Sequence, residues 1–373
     1  MSAHARLRRS SAVALVSAIT AGSALLLTAC DPSADDRAAT RPTATAPSRN
    51  ATPTAPASPS AAATGSGTAT PSAPASATAP ASPSAAATTA APAQPSAQPV
   101  QAALNLTKGT GLTISNGTRY VVMDGKVVDF GTVVRDLAWS PDGKRAAFVD
   151  GNGNLETSDP DGSHRAVVAK APSGVTWSHP TWQVFTPNAD ERTMHVPAVN
   201  DLQFTADDHG TLRILAVPVQ GGTPAPIALN TYSDQDPAPI PQTGNLWPNA
   251  AGRIGSSVYA NKDDGQVYIR DQYLRQEGMA VAKGSQPDRD DEGDIVFVRS
   301  VAGHSHLFTK GSDYRAPERD LTPGATVDYT EPAFSPDRKT VAFRAPDGIY
   351  TVPAKGGTPT KVSDTVGLPA YRG

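Results

Sequence analysis

A segment of twelve residues occurs twice in this chain, and each copy joins two β-strand patterns through one turn. The copies are Leu137–Phe148 (LAWSPDGKRAAF) and Pro332–Phe343 (PAFSPDRKTVAF). Each has an aromatic residue at the end of one strand, a Ser-Pro-Asp turn, and a second strand that ends in Ala-Phe. Proline presets the φ angle of a turn and aspartate bonds back to nearby backbone, so the chain reverses there. The segment therefore predicts a β-hairpin that recurs along the chain.

A second repeat places another turn after each hairpin. Val217–Pro224 and Val352–Pro359 are identical at six of eight positions and share a Gly-Gly pair. Gly-Gly between two β-runs is typical of a tight hairpin. Together the two repeats predict a unit of four consecutive strands, and weaker copies follow Trp182, Trp247 and Asp294.

This unit resembles the WD40-like repeat of TolB-type β-propellers, and the resemblance covers residues 104–373. It implies an all-β propeller, because each four-stranded unit is a blade. Blades of about 40–45 residues divide this region into six. Residues 109–133 match the last three strands of a blade, and Leu368–Tyr371 matches a first strand. We expect these ends to share one blade and close the ring, which leaves no exposed sheet edge. An open β-sandwich is the alternative.

The first third of the chain has a composition that does not build a packed core. All 4 Trp, 9 Tyr and 8 Phe lie at or after Tyr120, and no charged residue occurs between Asn50 and Thr107. Residues 30–103 consist mainly of Ala, Pro, Ser and Thr, which bury too little apolar surface to offset the entropy of ordering. We expect a disordered linker there, extended by its prolines.

The N-terminal residues 1–29 have the pattern of an export signal. Arg6, Arg8 and Arg9 precede an apolar stretch that ends in Leu27-Thr28-Ala29-Cys30. This ending resembles the bacterial lipobox, which implies that Cys30 receives a diacylglycerol and becomes the first mature residue. A retained transmembrane helix and a plain secretory signal are the alternatives. The lipobox reading predicts a lipoprotein anchored in the bilayer through acylated Cys30, on the extracytoplasmic face of the cell membrane.

The sequence contains no complete motif for catalysis, metal binding or a cofactor, and we expect none of the three. The single cysteine excludes disulfides within the chain and multi-cysteine metal sites. Gly303–Leu307 lacks the second glycine and the helix of a serine nucleophile elbow. Asp288, Asp290, Glu292 and Gly293 imitate a calcium loop whose last ligand position is Arg299, so we expect a solvated loop between strands. His304 and His306 share one strand face, and a metal site there would need a further ligand such as His179.

Partner binding is the expected role, and one stretch of the chain is the expected place. Gln183–Gly210 breaks the repeat spacing, and insertions in repeat proteins commonly form the binding face. The candidate partner-binding residues are Trp177, Trp182, His195, His209 and Trp247. A net charge of −3 argues against a nucleic-acid ligand.

The propeller is therefore expected to act as a non-catalytic monomer that binds an envelope protein or an envelope polymer. In TolB-type proteins the propeller docks other envelope proteins. This chain has no recognisable copy of that family's separate N-terminal α/β domain, so the family's export role does not transfer. The alternatives are a propeller enzyme acting on envelope glycans or peptides, and a sensor of a small ligand or metal. A polar central channel with converging carboxylates would favour the enzyme, and an open apolar rim would favour docking.

Overall fold

A computed structural model describes residues 103–231, 239–272, 276–313 and 315–373 of the chain. The predicted signal and Cys30 lie outside the described residues, as does nearly all of the predicted linker. The described part contains 25 β-strands and the five-residue helix α1 (Ala189–Thr193). Within these ranges no helix is both long enough and apolar enough to cross a bilayer.

The strands form six sheets, which are the blades of a propeller. Blade 1 comprises β25 (Leu368–Tyr371), β1 (Leu112–Ser115), β2 (Tyr120–Met123) and β3 (Lys126–Asp129). Blade 2 comprises β4 (Arg135–Trp139), β5 (Ala146–Val149), β6 (Leu155–Ser158) and β7 (Ala166–Ala169). Blade 3 comprises β8 (Val175–Phe185), β9 (Val199–Asp208), β10 (Thr211–Pro218) and β11 (Ala225–Pro226). Blade 4 comprises β13 (Asn245–Ala251), β14 (Ser256–Asn261), β15 (Gln266–Arg270), β16 (Glu277–Lys283) and the short parallel β12 (Asn230–Thr231). Blade 5 comprises β17 (Ser285–Arg289), β18 (Ile295–Val301), β19 (His304–Lys310) and β20 (Arg319–Asp320). Blade 6 comprises β21 (Thr330–Phe334), β22 (Thr340–Ala345), β23 (Gly348–Pro353) and β24 (Thr360–Ser363).

Blade 1 joins strands from the two ends of the propeller region, which confirms the predicted closure. β25 pairs with β1 in an antiparallel register that runs from Leu112 opposite Tyr371 to Ser115 opposite Leu368. Thr113 strengthens the joint, because its hydroxyl donates to the Ala370 carbonyl at 2.9 Å and accepts from the Trp139 indole of blade 2 at 3.0 Å. The closed ring excludes the open sandwich.

The Ser-Pro-Asp turns connect the first and second strands of blades 2 and 6 through the same hydrogen bonds. The Ser140 hydroxyl donates to Asp142 at 2.7 Å and accepts from the Arg145 amide at 3.0 Å. Ser335 repeats this arrangement with Asp337 at 2.7 Å and the Thr340 amide at 3.1 Å. The two Gly-Gly pairs lie between the third and fourth strands of blades 3 and 6, as predicted.

The core lies between blades, with one apolar cluster for each adjacent pair. Alternate residues of a middle strand serve opposite clusters. On β22, Val341 and Phe343 pack against blade 5, whereas Ala342 packs against blade 1, and all three are fully buried. Because both faces of a middle strand are covered, its sequence is a continuous apolar run rather than an alternating one.

The stretch Gln183–Gly210 is more regular than its sequence indicated. It contains the last three residues of β8, helix α1 and all of β9, which pairs with β8. A capping box at Asn188 starts the helix, and the Glu191 carboxylate reaches Arg253 of blade 4 at 2.9 Å. The expected insertion is therefore an extension of blade 3 that packs against its neighbour.

Candidate binding site in the central channel

The first strands of all six blades surround one central cavity of about 320 Å³. Each first strand contacts those of the two flanking blades, in the order β4, β8, β13, β17, β21 and β25, and β25 returns to β4. The starts of these strands lie at one end of the channel and the Ser-Pro-Asp turns lie at the other. We refer to these as the ring end and the turn end.

A bulge near the ring end changes the direction of five of the six first strands. In blades 2 to 6 the pairing register of the first strand shifts by one residue, for example between Ser178 and Thr181. Proline follows the first bulged residue in blades 3 to 6, as in His179-Pro180. A first strand is the inner edge of its sheet, and an edge bulge tolerates proline because no ladder donor is lost.

The residue that opens each bulge has a left-handed backbone conformation and lines the channel. Its φ angle lies between 49° and 55° in all five blades. Residues other than glycine rarely adopt this conformation, and where they do they are found in turns and bulges and at functional sites. Blade 1 has no bulge and places a leucine at the equivalent position. We call these six residues the channel ring: Asp136, His179, Trp247, Gln286, Glu331 and Leu368.

Ring side chains also join neighbouring blades. The Asp136 carboxylate accepts from the His179 amide at 3.2 Å, and the Gln286 side chain accepts from the Glu331 amide at 2.8 Å. The Trp247 amide donates to Thr205 of blade 3 at 3.0 Å. The blades are thus connected at the site itself, and this holds the left-handed residues in place.

An ion pair crosses the channel at the ring. His179 Nε2 lies 3.7 Å from Glu331 Oε1, although their blades are on opposite sides of the propeller. Burial lowers the pKa of His179, but the adjacent Glu331 carboxylate, with the charge of Asp136, outweighs burial and raises the pKa above 6.5. The Trp247 ring meets the imidazole edge-on, with centroids 6.2 Å apart. The ring therefore stabilises a positive charge beside an aromatic surface.

Asp288 is a further acidic group in the channel, two residues beyond Gln286. Its carboxylate accepts from the Phe334 amide at 2.7 Å. Burial raises its pKa to about 7, even though backbone hydrogen bonds from Phe334 and Arg289 favour the charged form. The sequence analysis placed Asp288 in a solvated loop, and this was wrong, because it lies on β17 with its side chain on the channel.

The lining of the channel is predominantly acidic. Its charged residues comprise five carboxylates, two arginines and one histidine: Asp136, Asp288, Asp290, Asp291, Glu331, Arg289, Arg338 and His179. The Arg289 guanidinium donates to the carbonyls of Ala251 at 2.8 Å and Ser256 at 3.1 Å. A cleft lined by charges of one sign attracts ligands of the opposite sign.

The five candidate residues for partner binding do not form one surface. Trp177 is buried against Phe204, and Trp182 is buried at the channel wall. Trp247 belongs to the channel ring. His195 and His209 are both exposed, at opposite ends of β9, about 30 Å apart. His209 lies at the ring end and His195 beyond α1 at the turn end.

The histidines of blade 5 lie apart from the channel histidine. His306 is on β19 and pairs with Asp320 at 2.8 Å, whereas His179 lines the channel. In the described ranges no group of three His, Cys, Asp or Glu side chains is arranged to hold a metal ion.

Sequence reasoning missed Asp136, Gln286 and Glu331 as site residues. A signal for the last two was present, because Xaa-Pro recurs in the first strands of five blades. These dipeptides are His179-Pro180, Trp247-Pro248, Gln286-Pro287, Glu331-Pro332 and Leu368-Pro369. Aligning the blades on this dipeptide places five of the six ring residues in one column. Asp136 precedes a leucine and is found only through the tertiary structure.

The sequence matches no protein-family model and no curated protein. Among solved structures, TolB from Acinetobacter baumannii has a TM-score of 0.51 and 16% identity, over 70% of this chain and 65% of that one. A nidogen/laminin complex has a TM-score of 0.47 and 8% identity, over 70% of this chain and 97% of that one. An oligogalacturonate lyase in complex with manganese has a TM-score of 0.44 and 12% identity, over 70% and 78%.

At sequence identities this low, structural similarity is evidence about the fold alone. This chain spans 65% of the length of the TolB chain that it resembles. The blade count, the closure within blade 1 and the match to TolB agree on the architecture. The described region of this chain is a six-bladed β-propeller similar to that of TolB.

Proposed function

We propose that this protein is a lipid-anchored binding protein on the extracytoplasmic face of the cell membrane. Cys30 carries the lipid, residues 30–103 form the linker, and residues 104–373 form the propeller. The propeller binds an envelope protein or an envelope polymer at the ring end of its channel and catalyses no reaction. The linker spans distances on the order of 50 Å as a flexible coil, which lifts the propeller away from the bilayer.

The channel ring is the observation that carries the proposal. Five of its residues are held in a rarely occupied backbone conformation, and their side chains converge on one cavity. Natural folds tolerate such backbone strain mainly where function requires it. A concave site with a few convergent polar groups and an aromatic side chain is the usual form of a binding pocket.

Capture from envelope extract tests this proposal. The full-length protein and its Trp247→Ala variant are incubated with extract, cross-linked and purified. We expect the variant to recover at least about tenfold less of a partner, because aromatic residues at the centre of an interface contribute most to affinity. His195→Ala is the control at the turn end. His209→Ala is the control at the ring end, at a residue that does not belong to the channel ring. Equal recovery of the partner by the wild type and by Trp247→Ala would show that the channel ring is not part of the binding surface.

A propeller enzyme is the second candidate function, and the polarity of the channel is the observation that favours it. His179, Asp136, Asp288 and Glu331 line one cavity, and general acid–base catalysis uses groups of this kind. The test is a screen of envelope glycans and peptides for turnover by the purified protein. Turnover that is lost in Glu331→Gln would establish the enzyme, and absence of turnover alongside Trp247-dependent capture would favour binding.

A further inference from the structure

The channel ring places a basic side chain of the protein itself opposite a carboxylate. The His179 imidazole reaches across to Glu331, and the Asp136 carboxylate holds the backbone amide of the same histidine. Its side chain is 24% exposed, so solvent and ligands reach this position from the channel. The geometry places a basic nitrogen beside the Glu331 carboxylate, and this point of the channel therefore suits a positive charge.

The charged groups around His179 come from three of the other first strands. Asp136 on β4 and Glu331 on β21 both act to raise its pKa, against the opposing effect of burial. β17 contributes the uncharged Gln286 and, further along the channel, Asp288. The ring positions of β13 and β25 hold Trp247 and Leu368, which do not titrate.

The uncharged part of the ring suits an alkyl chain that ends in a cation. Trp247 and Leu368 present an aromatic face and a branched aliphatic side chain to the channel. An indole attracts an ammonium group, and the methylene stem of a lysine packs on apolar surface while its charge remains hydrated or paired. A lysine stem is a single unbranched alkyl chain, whereas the amine of an amino sugar carries a whole pyranose with it.

We propose that the channel ring binds the ammonium group of a lysine side chain on a partner protein, which replaces His179 as the cation paired with Glu331. This inference rests on the proposed function and specifies the chemistry of its partner. The lysine enters from the ring end, its stem contacts Trp247 and Leu368, and its ammonium group takes the place of the imidazole beside Glu331. His179 thus competes with the ligand from within the protein.

The competition makes binding depend on pH in a defined direction. Protonated His179 holds Glu331 most strongly, so it opposes the ligand most strongly at low pH. As pH rises through the pKa of His179, the imidazole becomes neutral, while lysine stays protonated up to about pH 10. Affinity for lysine therefore increases as pH rises through the pKa of His179, and bound lysine in turn lowers that pKa.

The experiment titrates the full-length protein with Nα-acetyl-L-lysine amide and follows the His179 imidazole by NMR. Nα-acetyl-L-norleucine amide is the matched probe, because it has a hydrocarbon side chain of similar length without the charge. We expect the lysine probe to bind and to lower the pKa of His179, and the norleucine probe to do neither. Glu331→Gln is expected to weaken lysine binding about tenfold or more. Glu318→Gln, which removes a carboxylate paired with Arg299 at 2.7 Å outside the channel, is the control and should bind as the wild type does.

His179→Gln separates competition from a structural role. Removing the internal cation should tighten lysine binding at about pH 6 and reduce its pH dependence to the part that ionisation of Asp288 contributes. Weaker binding in this variant at every pH, equal binding of norleucine, or unchanged binding in Glu331→Gln would each overturn the inference. Glucosamine binding more tightly than the lysine probe would also overturn it, since the ring would then select an amino sugar.

Failure of this inference is distinguishable from failure of the proposed function. If Trp247-dependent capture from envelope extract persists while the lysine probe does not bind, the lysine assignment is wrong and the binding function stands. If the lysine probe binds as expected while extract yields no Trp247-dependent partner, the channel ring binds lysine as inferred and the proposed binding of an envelope partner is wrong.

Discussion

At the scale of the residue, the site depends on a backbone conformation that the side chains alone do not select. Asp136, His179, Trp247, Gln286 and Glu331 include a carboxylate, an imidazole, an indole and an amide, and all five have the same left-handed conformation. None of the five is glycine, so each conformation is unfavourable in isolation and is maintained by its surroundings. The surroundings are the bulge, the proline that follows in four of the five blades, and hydrogen bonds from the neighbouring blade.

Asp288 carries a pH dependence of stability that belongs to this scale. Its pKa is raised from 3.8 to about 7 in the folded protein, chiefly by burial. The folded state therefore holds this proton more tightly than the unfolded state, so the contribution of Asp288 to stability falls as pH rises from about 4 to about 7. Asp288→Asn keeps an acceptor for the Phe334 amide and does not ionise. We expect this variant to gain stability relative to the wild type at high pH, by up to about 4 kcal/mol.

Urea unfolding of both proteins at about pH 4 and about pH 8 measures this difference. Glu292→Gln, at an exposed carboxylate of the adjoining turn, is the control and should leave the pH profile unchanged. The same stability difference between Asp288→Asn and the wild type at both pH values would show that Asp288 ionises freely in the folded protein.

At the scale of the element, the first strand of each blade has two tasks. It forms the channel wall, and its hydrogen bonds connect one blade to the next. β25 performs both in blade 1, where it supplies Leu368 to the ring and pairs with β1 along four residues. Arg372, just beyond β25, donates to the Gly143 carbonyl of blade 2 at 2.6 Å and lies over the Trp139 ring. One short strand therefore ties the closing blade to both the channel and blade 2.

Removal of residues 365–373 is expected to destabilise the propeller severely. The deletion takes away β25 and leaves the inner edge of β1 without a partner. We expect the melting temperature to fall by roughly ten degrees or more, measured by circular dichroism. Thr113→Val is the milder change at the same joint, since it removes only the hydrogen bonds to Ala370 and Trp139, and should cost about 1–3 kcal/mol. A deletion variant that melts within a degree or two of the wild type would show that the ring does not need this strand.

At the scale of the whole molecule, the first hundred residues and the propeller differ in composition. The first hundred residues contain no aromatic residue and are rich in Ala, Pro, Ser and Thr, so their composition opposes a packed core. From residue 104 onward, apolar side chains recur often enough to fill six clusters between blades. The propeller should accordingly be independent of the segment that precedes it.

A chain of residues 104–373 is expected to fold without the preceding residues. Its far-UV circular dichroism should show an all-β protein, and its melting temperature should match that of the full-length chain within about two degrees, because the removed segment contributes no core. A chain of residues 104–373 that stays unfolded, or that melts far below the full-length protein, would mean that earlier residues pack against the blades.

Cys30→Ser tests the anchor. If Cys30 carries a lipid, the substitution should release the protein from membranes or leave the precursor uncleaved, because serine has no thiol to form the thioether. Intact-mass measurement of the membrane-extracted wild type should show an acylated chain that begins at Cys30. An unmodified mature chain that begins elsewhere would exclude the lipoprotein assignment.

The sequence by itself determined the blade and its repetition. Turns of the Ser-Pro-Asp and Gly-Gly types depend on local backbone preferences, and the apolar runs of the middle strands depend on burial at both faces. Both signals are local, so the six blades and the closing strand Leu368–Tyr371 were predictable from residues near one another in the chain. The Xaa-Pro dipeptides are equally local features of the sequence. Only the positions of the strands show that they form bulges at the inner edge of the blades.

Only the tertiary structure decided what the channel contains. His179 and Glu331 are 152 residues apart in the chain, and they meet because a ring of six blades places the third opposite the sixth. Burial raises the pKa of Asp288, and carboxylates on other blades raise the pKa of His179 against the effect of burial; no window of sequence contains either cause. The same holds for the separation of His195 from His209, since strand pairing carries the chain from one end of the propeller to the other between them. Local sequence specifies blades, and the chemistry of the site arises where six of them converge.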